Sequence, residues 1–190
     1  KQNPFTDKNL NSIFLIDSIN GAACGDDGVI YITNDACNTW TQKHSSNSYN
    51  LKSISFVDNN IGYAAGESTI LKTIDGGNNW TEIYTVNELN INEIHFSNAD
   101  IVFAVCDKSV ILKSVDGGNS WDLKSYDDSS NLYSVHFIDS VGYAVGQKGL
   151  IIRSTDYGET WTHIPTDVSR HLYSVYFNNY KNIFASGEKN

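Results

Sequence analysis

Residues 73–80 read TIDGGNNW, and the same turn returns as TNDACNTW at 33–40, SVDGGNSW at 114–121 and STDYGETW at 154–161. The four tryptophans, Trp40, Trp80, Trp121 and Trp161, are therefore spaced by 40, 41 and 40 residues. A second marker keeps step with them. It reads NLNSIFL from Asn9, NLKSISF from Asn50, NINEIHF from Asn90, NLYSVHF from Asn131 and HLYSVYF from His171. Two markers holding one period define a repeat of about 40 residues. Full repeats span 9–49, 50–89, 90–130 and 131–170, and a partial fifth spans 171–190.

Each repeat carries four short extended runs. In the second they are 51–56, 62–66, 70–73 and 80–84, rich in Ile, Tyr, Thr and Phe. Turn residues separate them: Asp58-Asn59-Asn60, Glu67-Ser68 and the Asp75-Gly76-Gly77-Asn78 run. No stretch of a dozen residues shows helical periodicity free of Gly and Asn breaks. The pattern predicts an all-β chain, a β-propeller of four-stranded antiparallel blades. The 190 residues form one propeller domain or a segment of one. The residues before Asn9 can add one outer strand through Phe5-Thr6 but no third strand, so the ring is expected to be incomplete.

The recurring turn has a physical logic. The carboxylates of Asp35, Asp75, Asp116 and Asp156 are placed to accept backbone N–H groups of the turn and nearby hydroxyls. Thr33, Thr73, Ser114 and Ser154 open it. Gly77, Gly118 and Gly158 supply a positive φ, and Cys37 stands at that place in the first copy. Asn79 replaces the last hydroxyl in the second. The tryptophans are expected to cover the turn and fill the seams between blades.

This turn matches the Asp-box pattern, and the chain resembles the bacterial neuraminidase repeat, or Asp-box, β-propellers. The string from Phe56 to Trp80, with a variant from Phe137 to Trp161, is similar to propellers of the photosystem II assembly/stability factor type, which also occur in secreted bacterial proteins. The resemblance covers essentially the whole chain. It implies that the Asp boxes are structural and remote from any active site.

The net charge is −9, with 40% hydrophobic and 18% charged residues. That is a globular composition. An acidic surface repels phosphate backbones, so nucleic acid is not an expected partner. No run of about 18 apolar residues exists, so no membrane insertion is expected. The chain opens at Lys1 and lacks methionine. It is expected to be a mature chain or a segment of a longer protein. Cys24, Cys37 and Cys106 show no zinc spacing. They read as buried thiols, with a Cys24–Cys37 disulfide as the other option.

Candidate chemistry is sparse. The four Asp-box aspartates lie one per blade, too far apart to act as a hydrolytic pair. Sialidases, which the chain resembles, grip a substrate carboxylate with three arginines, and only Arg153 and Arg170 are present. Arg153 shares its repeat position with Lys72 and Lys113, read as a solvated strand position. The doublets Asp26-Asp27 and Asp127-Asp128 lie on short loops. His95 and His136 hold equivalent positions in adjacent blades and either face each other or serve packing. No metal ligand set, nucleophile elbow or phosphate loop is found, and no cofactor is expected.

The variable parts are the loops 42–49, 84–90, 126–131 and 165–171 and the turns 25–28, 67–69, 107–109 and 147–149. The position after the N-L marker changes from Asn11 to Lys52, Asn92, Tyr133 and Tyr173, so it is expected not to be fixed by the fold. Lys52, Tyr133, Tyr173, Arg170, His171 and Lys148 are the candidate binding face. The expected function is non-catalytic: an extracytoplasmic binding or scaffold module for a protein or a glycan, with further blades or a neighbouring subunit at its edges. The alternative is a segment of a propeller glycoside hydrolase whose catalytic residues lie partly elsewhere.

Overall fold

The computed structural model describes residues 6–43, 49–126, 129–180 and 182–189, without the side chains of 86 and 87. Phe5, His44 and the Asp127-Asp128 doublet lie outside them. The chain divides into two compact units, Lys1–Glu88 and Leu89–Asn190. In the first, β1 (Leu10–Leu15), β2 (Gly21–Gly25), β3 (Ile30–Thr33) and β4 (Thr41–Lys43) form a four-stranded antiparallel sheet in sequence order. The next blade holds β5 (Leu51–Phe56), β6 (Gly62–Thr73) and the start of β7 (Thr81–Phe96). In the second unit the end of β7 pairs with β8 (Val102–Cys106), followed by β9 (Val110–Ser114) and β10 (Asp122–Ser125). Then come β11 (Leu132–Ile138), β12 (Val141–Gly146), β13 (Ile151–Ser154) and β14 (Thr162–His163), again in order. A two-stranded sheet of β15 (Leu172–Asn179) and β16 (Asn182–Gly187) ends the chain.

The fold is thus the all-β, four-stranded-blade architecture that the period predicts. Two boundaries differ from the sequence expectation. Residues 67–69 do not break β6, and 84–90 are strand within β7. The run 81–96 holds neither Gly nor Pro, so nothing stops the strand, and one residue with positive φ, Glu88, absorbs the irregularity. Among the described residues no helix is long and apolar enough to cross a membrane.

The Asp-box turns form as expected. Thr73 Oγ1 donates to Asp75 Oδ1 at 2.9 Å and accepts the Gly77 N–H at 2.9 Å. Asp75 also accepts the N–H and the side-chain amide of Asn79, so Asn replaces the hydroxyl without losing the bond. Thr33–Asp35–Thr39, Ser114–Asp116–Ser120 and Ser154–Asp156–Thr160 repeat the set. These bonds stabilise the ionised carboxylates, lowering Asp116 and Asp156 to about 2. Ala36 and Cys37 of the first box carry φ of 57° and 66°, where the second box has two glycines. The first box thus carries two such residues and the fourth one, Tyr157 at a φ of 57°.

The tryptophans differ among themselves. Trp80 is 8% exposed, meets Phe56 edge-on at 5.9 Å and donates its indole N–H to the Gly77 carbonyl. Trp161 meets Phe137 the same way at 5.6 Å, yet it is half-buried, as are Trp40 and Trp121. The expected deep burial therefore holds for Trp80 alone of the last three. Each of these aromatic contacts is to the inner strand of its own blade, so the depth is set by what else covers that blade. In the loop read as variable at 126–131, the described residues Tyr126 and Ser130 are not freely exposed. Tyr126 packs on the core, and Ser130 is buried with its carbonyl accepting Ser109 Oγ. The cysteines are thiols, and burial pushes Cys24 up to about 12.

Lys113 is buried, and Lys72 and Arg153 are half-buried rather than fully solvated. Lys72 sits over the Tyr63 ring and Arg153 over the Tyr143 ring, while Lys113 pairs with Glu159. Antiparallel pairing sets two of them opposite an aromatic of the second strand: Tyr143 opposite Arg153, Phe103 opposite Lys113. The rings cover part of Lys72 and Arg153 from water.

Trp80→Ala is expected to cost about 3–5 kcal/mol in denaturant unfolding, because a buried aromatic leaves a cavity under the turn. Cys37→Gly is expected to do the opposite. Relieving a positive φ on a residue with a Cβ should stabilise the chain by about 0.5–1 kcal/mol in the same measurement.

Candidate functional site

The site follows from an irregularity in the first strand of each blade. The register against the second strand slips between Leu10 and Ser12, Leu51 and Ser53, Ile91 and Glu93, Leu132 and Ser134, and Leu172 and Ser174. The bulged residue is therefore Asn11, Lys52, Asn92, Tyr133 or Tyr173, the position that varies in the sequence. A bulge turns its side chain out of the ladder.

In two blades that side chain has a structural task. Asn11 donates to Asp26 Oδ1 at 2.9 Å and to the Leu51 carbonyl at 2.9 Å. Asn92 donates to Asp107 Oδ1 at 2.9 Å and to the Leu132 carbonyl at 2.8 Å. The position is thus not free of the fold in these blades. Asn ties the turn after the second strand to the inner strand of the next blade. Asp26 is occupied by Asn9 and Asn11, which lower its carboxyl from the ordinary range.

Blades four and five replace this tie with aromatics. The Tyr133 and Tyr173 rings are 5.3 Å apart, and His171 stands 6.1 Å from Tyr133 and 6.2 Å from Tyr173. Tyr173 is 50% exposed and donates its hydroxyl to Glu188 Oε1 at 3.1 Å. His171 Nδ1 accepts the Lys148 N–H at 3.2 Å, which fixes the ring against the turn Gln147–Gly149. Arg170 is exposed beside it, and its charge helps lower Glu188. A cavity of about 240 Å³, lined by Ser130, Gln147, Lys148, Leu150, His163 and Val168 among others, adjoins the turn. Five of the six sequence candidates, Tyr133, Tyr173, His171, Arg170 and Lys148, therefore belong to one neighbourhood. Lys52, half-buried on β5, belongs to the other unit.

A second set, which the sequence reading missed in part, bonds side chains of one blade to the inner strand of the next. Ser12 Oγ accepts the Ile54 N–H at 3.3 Å, and Ser134 Oγ accepts the Val175 N–H at 3.0 Å. At the same repeat position Glu93 Oε2 accepts the Val135 N–H. Burial pushes the Glu93 carboxyl up to about 7. Two residues on, His95 Nε2 accepts the Phe137 N–H at 3.1 Å. Burial, helped by the charge of His136, pushes His95 down to about 4, so it stays neutral and accepting. The His95 and His136 rings lie 4.7 Å apart, so they do face each other. The signal for Glu93 was visible. It is the one acid in a column otherwise reading Ser12, Ser53, Ser134 and Ser174.

Among the described residues no cluster of three or more His, Cys, Asp or Glu is placed to hold a metal ion. The Asp-box carboxylates are each held within their own turn. The rim offers flat aromatic faces, an imidazole and two cationic side chains, which suit recognition.

Blade architecture and Asp-box turns define an Asp-box β-propeller with neuraminidase-type repeats. The family model for photosynthesis system II assembly factor YCF48 matches residues 2–90 and 85–173, and the chain belongs to that family. No curated protein matches the sequence. Among solved structures, "YCF48 bound to D1 peptide" superposes with a TM-score of 0.76 at 21% identity, over 96% of this chain and 62% of that one. YCF48 from Cyanidioschyzon merolae gives 0.76 at 18% identity, over 98% and 69%. The GH74 enzyme of Niastella koreensis gives 0.68 at 20% identity, over 89% and 31%. These likenesses show the fold. The chain spans about three-fifths of the length of the peptide-bound YCF48.

Glu93 and His95 set opposing pH dependences. Glu93 has its folded pKa raised from 4.5 to about 7, so its contribution is full below 4.5 and falls as pH rises towards 7. His95 has its folded pKa lowered from 6.5 to about 4, so its contribution is full above 6.5 and falls as pH drops towards 4. Glu93→Ser, which restores the repeat residue, should remove the first slope alone. Thermal unfolding is expected to show the variant gaining on wild type by roughly 3 kcal/mol between pH 4.5 and 8. Parallel curves would contradict a desolvated Glu93.

Proposed function

We propose that this chain is a non-catalytic recognition module that holds a peptide segment of a partner protein on the rim formed by Tyr133, His171 and Tyr173. The observation that carries this is the exchange at the bulge. Where Asn11 and Asn92 are spent on tying blades together, Tyr133 and Tyr173 present aromatic faces. Two tyrosines and a histidine in contact offer large, stiff surfaces at low entropic cost, the usual make-up of a recognition hot spot. Lys148 and Arg170 add positive charge on an otherwise acidic protein. Family membership supports the same reading, since a YCF48 structure is described as bound to D1 peptide.

The module acts outside the cytoplasm, as part of a larger protein or assembly. The resemblance to repeats of secreted bacterial proteins and the net charge of −9 support this placement. A glycan is the second class of occupant that an aromatic rim suits. Glycoside hydrolysis is the competing reading, favoured by the GH74 neighbours. It requires two carboxylates across a cleft. Against it stand the Asp-box carboxylates, tied into turns, and Asp26 and Asp107, each bonded to two asparagines.

Binding of the D1 peptide and of a panel of unrelated peptides, measured by calorimetry, tests the proposal. The double variant Tyr133→Ala/Tyr173→Ala is expected to lose at least about 10-fold in affinity, as for loss of aromatic anchors. Its melting temperature should stay close to that of wild type, because the outer face of Tyr173 packs on little. Unchanged binding sinks the rim. Turnover of β-glucan oligosaccharides by wild type would favour the hydrolase instead.

A further inference from the structure

Two seams built from the same repeat positions are closed differently. In the second unit, Lys113 on β9 and Lys124 on β10 both bond the carboxylate of Glu159, in the Asp box of the next blade, Lys124 at 2.7 Å. Ser97, just after β7, donates its hydroxyl to the Asp139 carbonyl at 3.0 Å. One acid shared by two cations, and one hydroxyl, pin these two blades together at their Asp-box ends.

In the first unit nearly all of those partners are exchanged. Ile32 stands at the position of Lys113, Ile16 at that of Ser97 and Asn78 at that of Glu159, and only Lys43 keeps the chemistry of its counterpart, Lys124. Ile32 lies at the seam, since a Cβ added to Gly77 of the next box would meet its Cδ1 at 2.5 Å. The Asn78 amide is spent inside its own turn, where it donates to the Asp75 carbonyl at 2.8 Å. Among the described residues no carboxylate pairs with Lys43.

Where the second unit has its ion cluster, the first has a cavity of about 300 Å³. That volume lies at the small end of ligand sites. Ile16 and Ile32 give it an apolar wall, and half-buried Lys43 gives it a cation. Asn34, Asn59 and Asn60 also line it. Asn34 departs from the repeat, which carries Ile74, Val115 and Thr155 at the same place. A primary amide both donates and accepts, so such a lining suits hydroxyl groups. Asp75 lies at the cavity too, with its carboxylate oxygens held by Thr73 and Asn79. Asp156 is held in the same way and stands in the same box as the Glu159 carboxylate, so an Asp-box acid does not keep a second anion from this place.

We propose that this cavity binds a small hydroxylated organic acid. Its carboxylate pairs with Lys43 in the place that Glu159 takes opposite Lys124, and its hydroxyls meet the amides of Asn34, Asn59 and Asn60. The apolar wall keeps water from one side of the pair and strengthens it. The site lies wholly within the first unit and shares no residue with the rim of Tyr133, His171 and Tyr173, so neither depends on the other.

D-glucuronate is the probe, titrated into the isotope-labelled chain while backbone and side-chain amide resonances are followed. Saturable shifts are expected at Asn34, Asn59, Asn60 and Gly76. D-glucose, which lacks the carboxylate, and glutarate, which lacks the hydroxyls, should each bind at least about 10-fold more weakly. Lys43→Gln should weaken glucuronate by a similar factor and leave the melting temperature within about 1 °C, because the lysine has no internal pair to lose. Asn78→Glu supplies the acid that the second unit carries. It is expected to abolish glucuronate binding without lowering the melting temperature, since Lys43 is then satisfied from within. No saturable shift at those four residues overturns the proposal. So does glucose or glutarate binding as tightly as glucuronate, or glucuronate binding that survives Lys43→Gln and Asn78→Glu unchanged.

Discussion

An inner strand with no ladder partner on one side is the constraint from which the rest of this structure follows. The first strand of each blade pairs only with its second strand, so backbone groups on its other edge must find bonds elsewhere. Side chains of the preceding blade supply them: Ser12 for Ile54, Glu93 for Val135, His95 for Phe137 and Ser134 for Val175. Asn11 and Asn92 do the converse for the carbonyls of Leu51 and Leu132. These side-chain-to-backbone bonds join blade to blade without a shared sheet. They also explain why acceptors as dissimilar as serine, glutamate and histidine occupy neighbouring columns of one repeat.

The same constraint separates scaffold from site. A repeat position committed to such a bond has little room to vary. Where blades four and five give it up, Tyr133 and Tyr173 come together with His171. The cost of the arrangement sits in Glu93 and His95. Both are half-buried, and desolvation displaces their titrations in opposite directions. Serine does the work of Glu93 in other blades, so the carboxyl is a local elaboration rather than a requirement of the fold.

The Asp boxes act at the opposite end of each blade. Their carboxylates are spent on turn geometry, and their glycines let the turn lie flat on the preceding blade, as Gly158 does on Phe103. A box is therefore half of a seam. This is how Lys113 comes to be buried and paired with Glu159 of the following box.

The period of the tryptophans and of the N-L marker was enough to determine the all-β four-stranded blades, their strand order and the Asp-box turns, because these depend on local chemistry: turn residues, alternation and a carboxylate within reach of its own backbone. The candidate rim was legible too, since Tyr133, His171 and Tyr173 depart from the repeat. Contacts between neighbouring blades were not. No spacing announces that Lys72 and Arg153 lie over aromatic rings, that Lys113 is buried against Glu159, that Glu93 is desolvated, or that 84–90 continues a strand. Those outcomes depend on register and on what covers each face, and residues about 40 apart in sequence meet only when the blades stack. The bulge is the clearest case. It turns Asn11 into a tie between blades and sets Tyr133 against Tyr173 and His171, and only paired strands reveal it.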